Sequence, residues 1–126
     1  VRPVTIAKSL AIGNPADGFQ VIASLKRTGG SGVAATDDEI LDAIELLAHT
    51  EGIFTEPAGG TTLAGTKKLI ERGAIKPDES VVVVITGNGY KTADVMRDRV
   101  PESIQVGKGL KDFEAAMAGT PMLAAH

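Results

Sequence analysis

Five consecutive β-branched apolar residues, Val81–Ile85, form an uninterrupted run that ends at the polar, glycine-rich segment Thr86–Lys91. Apolar side chains on both faces predict a strand buried on both sides, as in a parallel sheet. In open α/β sheets, ligands bind beyond the carboxyl ends of the strands. The junction therefore predicts a small-molecule site, and a tight strand-to-helix turn without a ligand is the alternative.

Helical spacing marks the segment from Asp17 to Arg27, where Phe19, Ile22 and Leu25 fall on one face. The glycine pair that follows, at positions 29 and 30, predicts the end of this helix.

A second helix is predicted after Thr36. Thr36 and Glu39 have the spacing of a capping box. The acidic residues at 37–39 form the first turn, where the positive end of the helix dipole stabilises negative charge. We prefer this explanation of the acidic residues to a metal site. Five residues form one apolar stripe for packing on a sheet: Ile40, Leu41, Ile44, Leu47 and Ala48.

A third helix is predicted from Pro57 to about Arg72, with Gly73 as its C-cap. Its first half is rich in glycine, which is costly inside a helix and predicts close backbone packing or a nearby ligand. The remaining predictions are weaker: strands at 32–35 and 104–106, a short helix through Met96, a break at Pro101, and a last helix carrying Leu110, Phe113 and Met117. The alternation of elements predicts an α/β fold with a mostly parallel sheet flanked by helices.

Composition narrows the function classes. The 126 residues carry a net charge of −3, which argues against nucleic acid or an anionic membrane as the main partner. The absence of cysteine excludes disulfides and thiolate sites and fits a cytoplasmic enzyme. The chain begins at Val1, as expected of a processed protein or a piece of a longer one.

Three motif-like patterns are weak evidence for a nucleotide or metal site. The segment 60–67 has the length of a phosphate-binding loop, but its lysine and threonine are in the wrong order. Gly87 and Gly89 form a lone Gly-x-Gly, which is a weak dinucleotide signal. His49 and His126 lack the spacing of a shared metal site, so no metal is predicted.

Four segments in order resemble the carboxyl-terminal part of the threonine synthase family, which consists of pyridoxal-phosphate enzymes of the tryptophan-synthase-β fold type, also called fold type II. The resemblance covers roughly residues 2 to 92. The matching segments are Ala7–Pro15, Val33–Glu39, Glu51–Gly60 and Ile85–Lys91.

The resemblance implies conversion of O-phospho-L-homoserine and water to L-threonine and phosphate, with pyridoxal 5'-phosphate as cofactor. It implies that the Thr86 hydroxyl hydrogen-bonds the pyridine nitrogen, and that Gly87 keeps the backbone clear of the ring. A neutral hydroxyl can donate to an unprotonated nitrogen and so tune the cofactor.

The same resemblance implies that four further residues line the active site: Ile12, Gly13, Asn14 and Glu56. Two of them also have simpler interpretations. Asn14 suits a turn, and Glu56 suits the amino-terminal end of a helix.

The family's Schiff-base lysine and phosphate-binding motifs lie in a preceding amino-terminal portion that this sequence lacks. We therefore expect no catalytic residue here, an inactive isolated chain, and the missing portion as its partner in an enzyme that is a homodimer when complete. Residues 1–92 are predicted to belong to the catalytic domain and residues 93–126 to form a C-terminal extension.

Two other functions stay open at this stage. One is a serine or threonine dehydratase-like enzyme of the same fold type. The other is a non-catalytic α/β module that binds a small ligand at the turn from Gly87 to Gly89.

Overall fold

The computed structural model describes residues 2–101 and 103–119. In chain order it forms a 3₁₀ helix at Lys8–Leu10, α1 at Gly18–Thr28, α2 at Asp37–Glu51, α3 at Pro57–Glu71, a second 3₁₀ helix at Gly89–Met96 and α4 at Leu110–Ala118. The second 3₁₀ helix is kinked at Thr92, whose backbone is not helical.

Local signals place the helices close to where the sequence predicts them. The Thr36 hydroxyl accepts the Glu39 amide at 3.3 Å, and the Glu39 carboxylate accepts the Thr36 amide at 2.7 Å, so the capping box is confirmed. Gly29 ends α1 in the left-handed conformation, with φ of 68°. Pro57 begins α3 as predicted, and α3 ends at Glu71, one residue before the predicted boundary.

The core lies where the apolar face of α2 meets the chain's first segment and the second 3₁₀ helix. Ala7, Ile40, Ile44 and Met96 form this buried cluster. Ile44 is fully buried. The α2 stripe was expected to pack on a sheet, but here it packs on α3 and on this cluster.

Gly60 sets how closely α2 and α3 approach each other. A Cβ at position 60 would lie 2.8 Å from the Ile40 carbonyl oxygen and 2.8 Å from Ile44 Cγ1. The absence of a side chain at Gly60 therefore allows close packing of the two helices. This packing offsets the low helix propensity of glycine, as the glycine content of α3 predicts.

Substituting Gly60 by alanine should lower the free energy of unfolding by about 1–3 kcal/mol, because the added methyl group meets backbone that cannot move aside. The matched control is G65A in the same helix, where a Cβ would sit 3.4 Å from Val33 Cγ2, near ordinary contact distance. G65A should be neutral or stabilise by up to about 1 kcal/mol. Urea unfolding of the two variants measures the difference, and equal effects would contradict the packing explanation.

Ion pairs fix the outer face of α2. Arg99 pairs with Asp42 at 2.7 Å and with Glu45 at 3.5 Å, which attaches the segment after Met96 to α2. Lys68 of α3 donates to Glu39 at 2.6 Å and to the Ala34 carbonyl at 2.7 Å.

The Glu39 contacts predict an acid dependence of stability. The hydrogen bond from Lys68, and then that from the Thr36 amide, hold the pKa of Glu39 below its ordinary value of 4.5. A depressed folded-state pKa contributes stability above the unfolded pKa, and that contribution is lost as the pH falls through the folded pKa. Stability should therefore decline below about pH 4.5, and E39Q should remove part of this decline.

Urea midpoints at neutral and acidic pH measure the effect. E71Q is the control, because the ion pair of Glu71 with Lys67 is 3.9 Å long and joins two exposed side chains, so this variant should keep the wild-type acid dependence. A pH profile of E39Q parallel to that of the wild type would contradict the assignment.

The predicted parallel sheet is not found in the part of the chain that the structure describes. Val81–Ile85 has no strand partner and remains irregular, and Val82 is 88% exposed. Neither 32–35 nor 104–106 is a strand. A strand exists only when a neighbouring strand accepts and donates its backbone hydrogen bonds, and no described segment of this chain does so for Val81–Ile85.

The outer helices leave their apolar faces uncovered. Phe19 and Ile22 of α1 are 89% and 55% exposed, and α1 buries no residue. The predicted last helix is present as α4, and its Leu110 and Phe113 are 72% and 50% exposed.

Candidate functional site

Two loop segments far apart in sequence meet beside the amino-terminal end of α3. Thr55 and Asn88 form an antiparallel bridge. The Glu56 amide donates to the Gly87 carbonyl at 3.1 Å, and the Gly89 amide donates to the Phe54 carbonyl at 3.0 Å. This short ladder places the glycine-rich turn at 86–89 against the segment that leads into α3.

Thr55 holds the two segments together from inside. It is 1% exposed, and its hydroxyl donates to the Gly87 carbonyl at 3.2 Å and to the Glu56 carbonyl at 3.3 Å. A side chain at Gly59 would collide with the Thr55 hydroxyl, so this glycine makes room for it. Buried hydroxyls require such partners, and Thr55 thereby fixes the position of Gly87.

The contact between Thr86 and Glu56 is the chemical centre of the site. The Thr86 hydroxyl donates to Glu56 Oε1 at 3.2 Å. A Cβ at Gly87 would overlap the Glu56 carboxylate, so the carboxylate lies directly against the Gly87 backbone. The structure thus brings together three of the six predicted site residues.

Glu56 is the N-cap residue of α3, yet its side chain makes no capping hydrogen bond. Its negative charge lies near the positive end of the helix dipole, as the simpler interpretation predicts. The carboxylate nevertheless turns to Thr86 rather than to the helix amides, so the helix end alone does not account for its position.

The turn is closed by an aromatic pair. The rings of Phe54 and Tyr90 lie 5.4 Å apart at 83°, an edge-to-face contact. Asn88 Oδ1 accepts the Tyr90 amide at 2.8 Å, and a Cβ at Gly89 would lie 2.7 Å from the Phe54 ring. Gly89 is therefore required by packing, independently of any ligand.

The other three predicted residues lie in an exposed turn after the first 3₁₀ helix. Ile12 is 60% exposed, and Gly13 and Asn14 are exposed as well. Within residues 2–101 and 103–119, no hydrogen bond joins this turn to Thr86 or Glu56. Their role in lining a site stays a prediction.

Thr55 was missed by the sequence interpretation. Its partner, the Gly87 carbonyl, is 32 residues away, and no local period indicates such a contact. The only available signal was its position directly before Glu56 and Pro57 in the matching segment.

Thr86 is exposed, so its oxygen can reach a ligand while its proton is held by Glu56. The absence of a side chain at Gly87 makes room for the Glu56 carboxylate. Two of the lysines are engaged elsewhere, since Lys68 binds Glu39 and Lys67 faces Glu71. No helix formed by the described ranges has the length and apolarity needed to cross a membrane.

Comparison with known proteins places this chain in a family. The family described as "Pyridoxal-phosphate dependent enzyme" matches residues 1–87. The threonine synthase of Methanocaldococcus jannaschii is 42% identical over 105 residues, which are 83% of this chain and 26% of the relative. That of Bacillus sp. (strain ULM1) is 45% identical over 94 residues, covering 75% of this chain and 27% of the relative.

A third threonine synthase, from Methanosarcina acetivorans, is 35% identical over 118 residues, which are 94% of this chain and 29% of the relative. The chain spans about a quarter of the length of these curated relatives. The resemblance identified from the four sequence segments is thereby confirmed. The chain belongs to the family of pyridoxal-phosphate dependent enzymes.

Proposed function

We propose that this chain is part of a threonine synthase that converts O-phospho-L-homoserine and water to L-threonine and phosphate. The observation that carries the proposal is the cluster of Thr86, Gly87 and Glu56, which lies within segments that resemble the threonine synthase family. The similarity to three threonine synthases supports the substrate and the reaction.

In this proposal the chain supplies the pyridine-nitrogen side of the cofactor site. Thr86 hydrogen-bonds the ring nitrogen, and Gly87 keeps the backbone clear of the ring. Ile12, Gly13 and Asn14 complete the lining once the remaining portion of the enzyme packs against their turn. Pyridoxal phosphate supplies an electron sink for the chemistry next to the amino group of the substrate.

The lysine that binds the cofactor belongs to the amino-terminal portion of the enzyme, and the isolated chain is inactive. Residues 1–92 belong to the catalytic domain in this assignment, and residues 93–126 form the extension.

The exposed surface of the chain supports the proposal that the chain binds a large partner. Its accessible area is 9946 Å², whereas a compact monomer of the same mass would expose about 6,300 Å². The uncovered apolar residues include Val82, Val84 and Phe19. We assign this surface to the amino-terminal portion, which would supply the neighbouring strands and turn Val81–Ile85 into the buried strand of a parallel sheet.

The test joins this chain to the amino-terminal portion of a threonine synthase in one polypeptide. After incubation with pyridoxal phosphate and reduction with borohydride, peptide mass spectrometry should locate the cofactor on a lysine of the amino-terminal portion. Cofactor on a lysine of this chain, or on none, would contradict the proposal. The joined protein would be a dehydratase if it formed a keto acid from L-serine and formed no L-threonine from O-phospho-L-homoserine.

A further inference from the structure

We propose that Thr55 is a positioning residue, which holds the glycine-rich turn at 86–89 so that the Thr86 hydroxyl meets the cofactor ring. The inference rests on the proposed function and deepens it. Its starting point is the side chain of Thr55, which is 1% exposed and binds a carbonyl group 32 residues away in the sequence.

The turn has little conformational preference of its own. Glycine loses more conformational freedom on folding than any other residue, and the turn carries Gly87 and Gly89. Neither has a positive φ, so neither is required by a left-handed backbone. Their missing side chains instead make room for the Glu56 carboxylate and the Phe54 ring. Contacts with another segment must therefore fix this turn.

The Gly87 carbonyl is the point at which the turn is held. It accepts two hydrogen bonds, from the Glu56 amide at 3.1 Å and from the Thr55 hydroxyl at 3.2 Å. A carbonyl oxygen has two lone pairs, so these two donors use its accepting capacity. Because the Thr55 side chain is buried, the Gly87 carbonyl is directed into the protein.

The start of α3 is built around the Thr55 hydroxyl. Gly59 lies in the first turn of α3, and a Cβ there would overlap this hydroxyl. Glycine is unfavourable inside a helix, and room for Thr55 explains its presence at this position. Thr55 therefore ties the flexible turn to the start of a helix that packs on α2.

The consequence for the site follows from chain connectivity. A group that acts on a bound ligand must be held within about 0.5 Å of its productive position by the residues around it. Without the Thr55 hydroxyl, the Gly87 carbonyl keeps the Glu56 amide as its donor and loses the side-chain donor. Thr86 directly precedes Gly87, so its hydroxyl is then less well placed, although Thr55 itself does not touch the ring.

Variants of Thr55 in the joined protein test this role. T55V removes the hydroxyl and keeps nearly the same shape. T55A and T55S both lack the methyl group and differ only in the hydroxyl, so their comparison isolates the hydroxyl even if valine prevents folding.

T55V and T55A should lower kcat per bound cofactor by about tenfold and shift the absorption maximum of the bound cofactor. T55S should keep both values near those of the wild type. The KM for O-phospho-L-homoserine should change by less than about twofold, because Thr86 acts on the ring and not on the substrate.

Hydrogen exchange in the isolated chain measures the turn without any cofactor. The Glu56 and Gly89 amides bond across the two segments. T55V and T55A should speed their exchange by about tenfold more than that of the amides within α2. T66V also removes a threonine hydroxyl, but its hydrogen bond stays within α3, so this control should change neither the exchange nor the kinetics.

Unchanged kcat and absorption spectrum in T55V and T55A would overturn the positioning role, even if exchange became faster. Equal losses in T55S and T55A would also overturn it, because the hydroxyl would then not be responsible. If the joined wild type binds no pyridoxal phosphate, the proposed function fails and the positioning role fails with it. The exchange experiment would still decide separately whether Thr55 holds the turn.

Discussion

Replacing Thr86 by valine in the complete enzyme should lower turnover by roughly tenfold to a hundredfold. Valine has nearly the same shape but no hydroxyl, so the ring nitrogen loses its hydrogen-bonding partner. A buried polar group left without its hydrogen-bond partner costs about 1–3 kcal/mol, and about 1.4 kcal/mol corresponds to tenfold in rate. The absorbance of the bound cofactor should change as well, because the protonation of its ring depends on this contact.

Steady-state rates and the absorption spectrum measure this effect. T86S, which keeps the hydroxyl, should retain most of the activity. T66V is the matched control, because the hydrogen bond of the Thr66 hydroxyl, to the Thr62 carbonyl at 2.9 Å, stays within α3. A wild-type spectrum and rate in T86V would remove Thr86 from the site.

Replacing Ile44 by alanine should produce the largest loss of stability, about 2–5 kcal/mol. Ile44 is fully buried at the centre of the core cluster and also lies under Gly60, where α2 and α3 are closest. Removing its outer carbon atoms leaves a cavity that the two packed helices cannot close without moving apart.

Urea unfolding followed by circular dichroism measures the loss. Leu46 is two residues further along α2 and 43% exposed, so L46A should cost less than about 1 kcal/mol. Equal costs for the two variants would show that the α2 stripe is not the core of this chain.

The helices could be predicted because their signals are local. The capping box of Thr36 and Glu39 and the stop at Gly29 each involve residues within one turn of the helix they define. Val81–Ile85 could not be settled in the same way, because a strand depends on hydrogen bonds with a partner segment. The apolar residues of Val81–Ile85 indicate a segment suited to burial. The segment is nevertheless largely exposed, because no described segment covers it.

The candidate site likewise combines residues that a local pattern predicts with contacts that no local pattern predicts. Thr86 and Gly87 could be proposed as site residues because a glycine-rich turn after an apolar run is a local pattern, and the role proposed for them comes from the family resemblance. The contact of Thr86 with Glu56 joins residues 30 positions apart, and no spacing rule predicts it. The support from Thr55 became visible only when the two segments were brought together in space.

The most direct test of the central claim is the rate of L-threonine formation from O-phospho-L-homoserine by this chain joined to the amino-terminal portion of a threonine synthase. We expect L-threonine and phosphate in equal amounts when pyridoxal phosphate is present, no product from the chain alone, and a strongly reduced rate with T86V. A joined protein that folds and binds pyridoxal phosphate but forms no L-threonine would contradict the account.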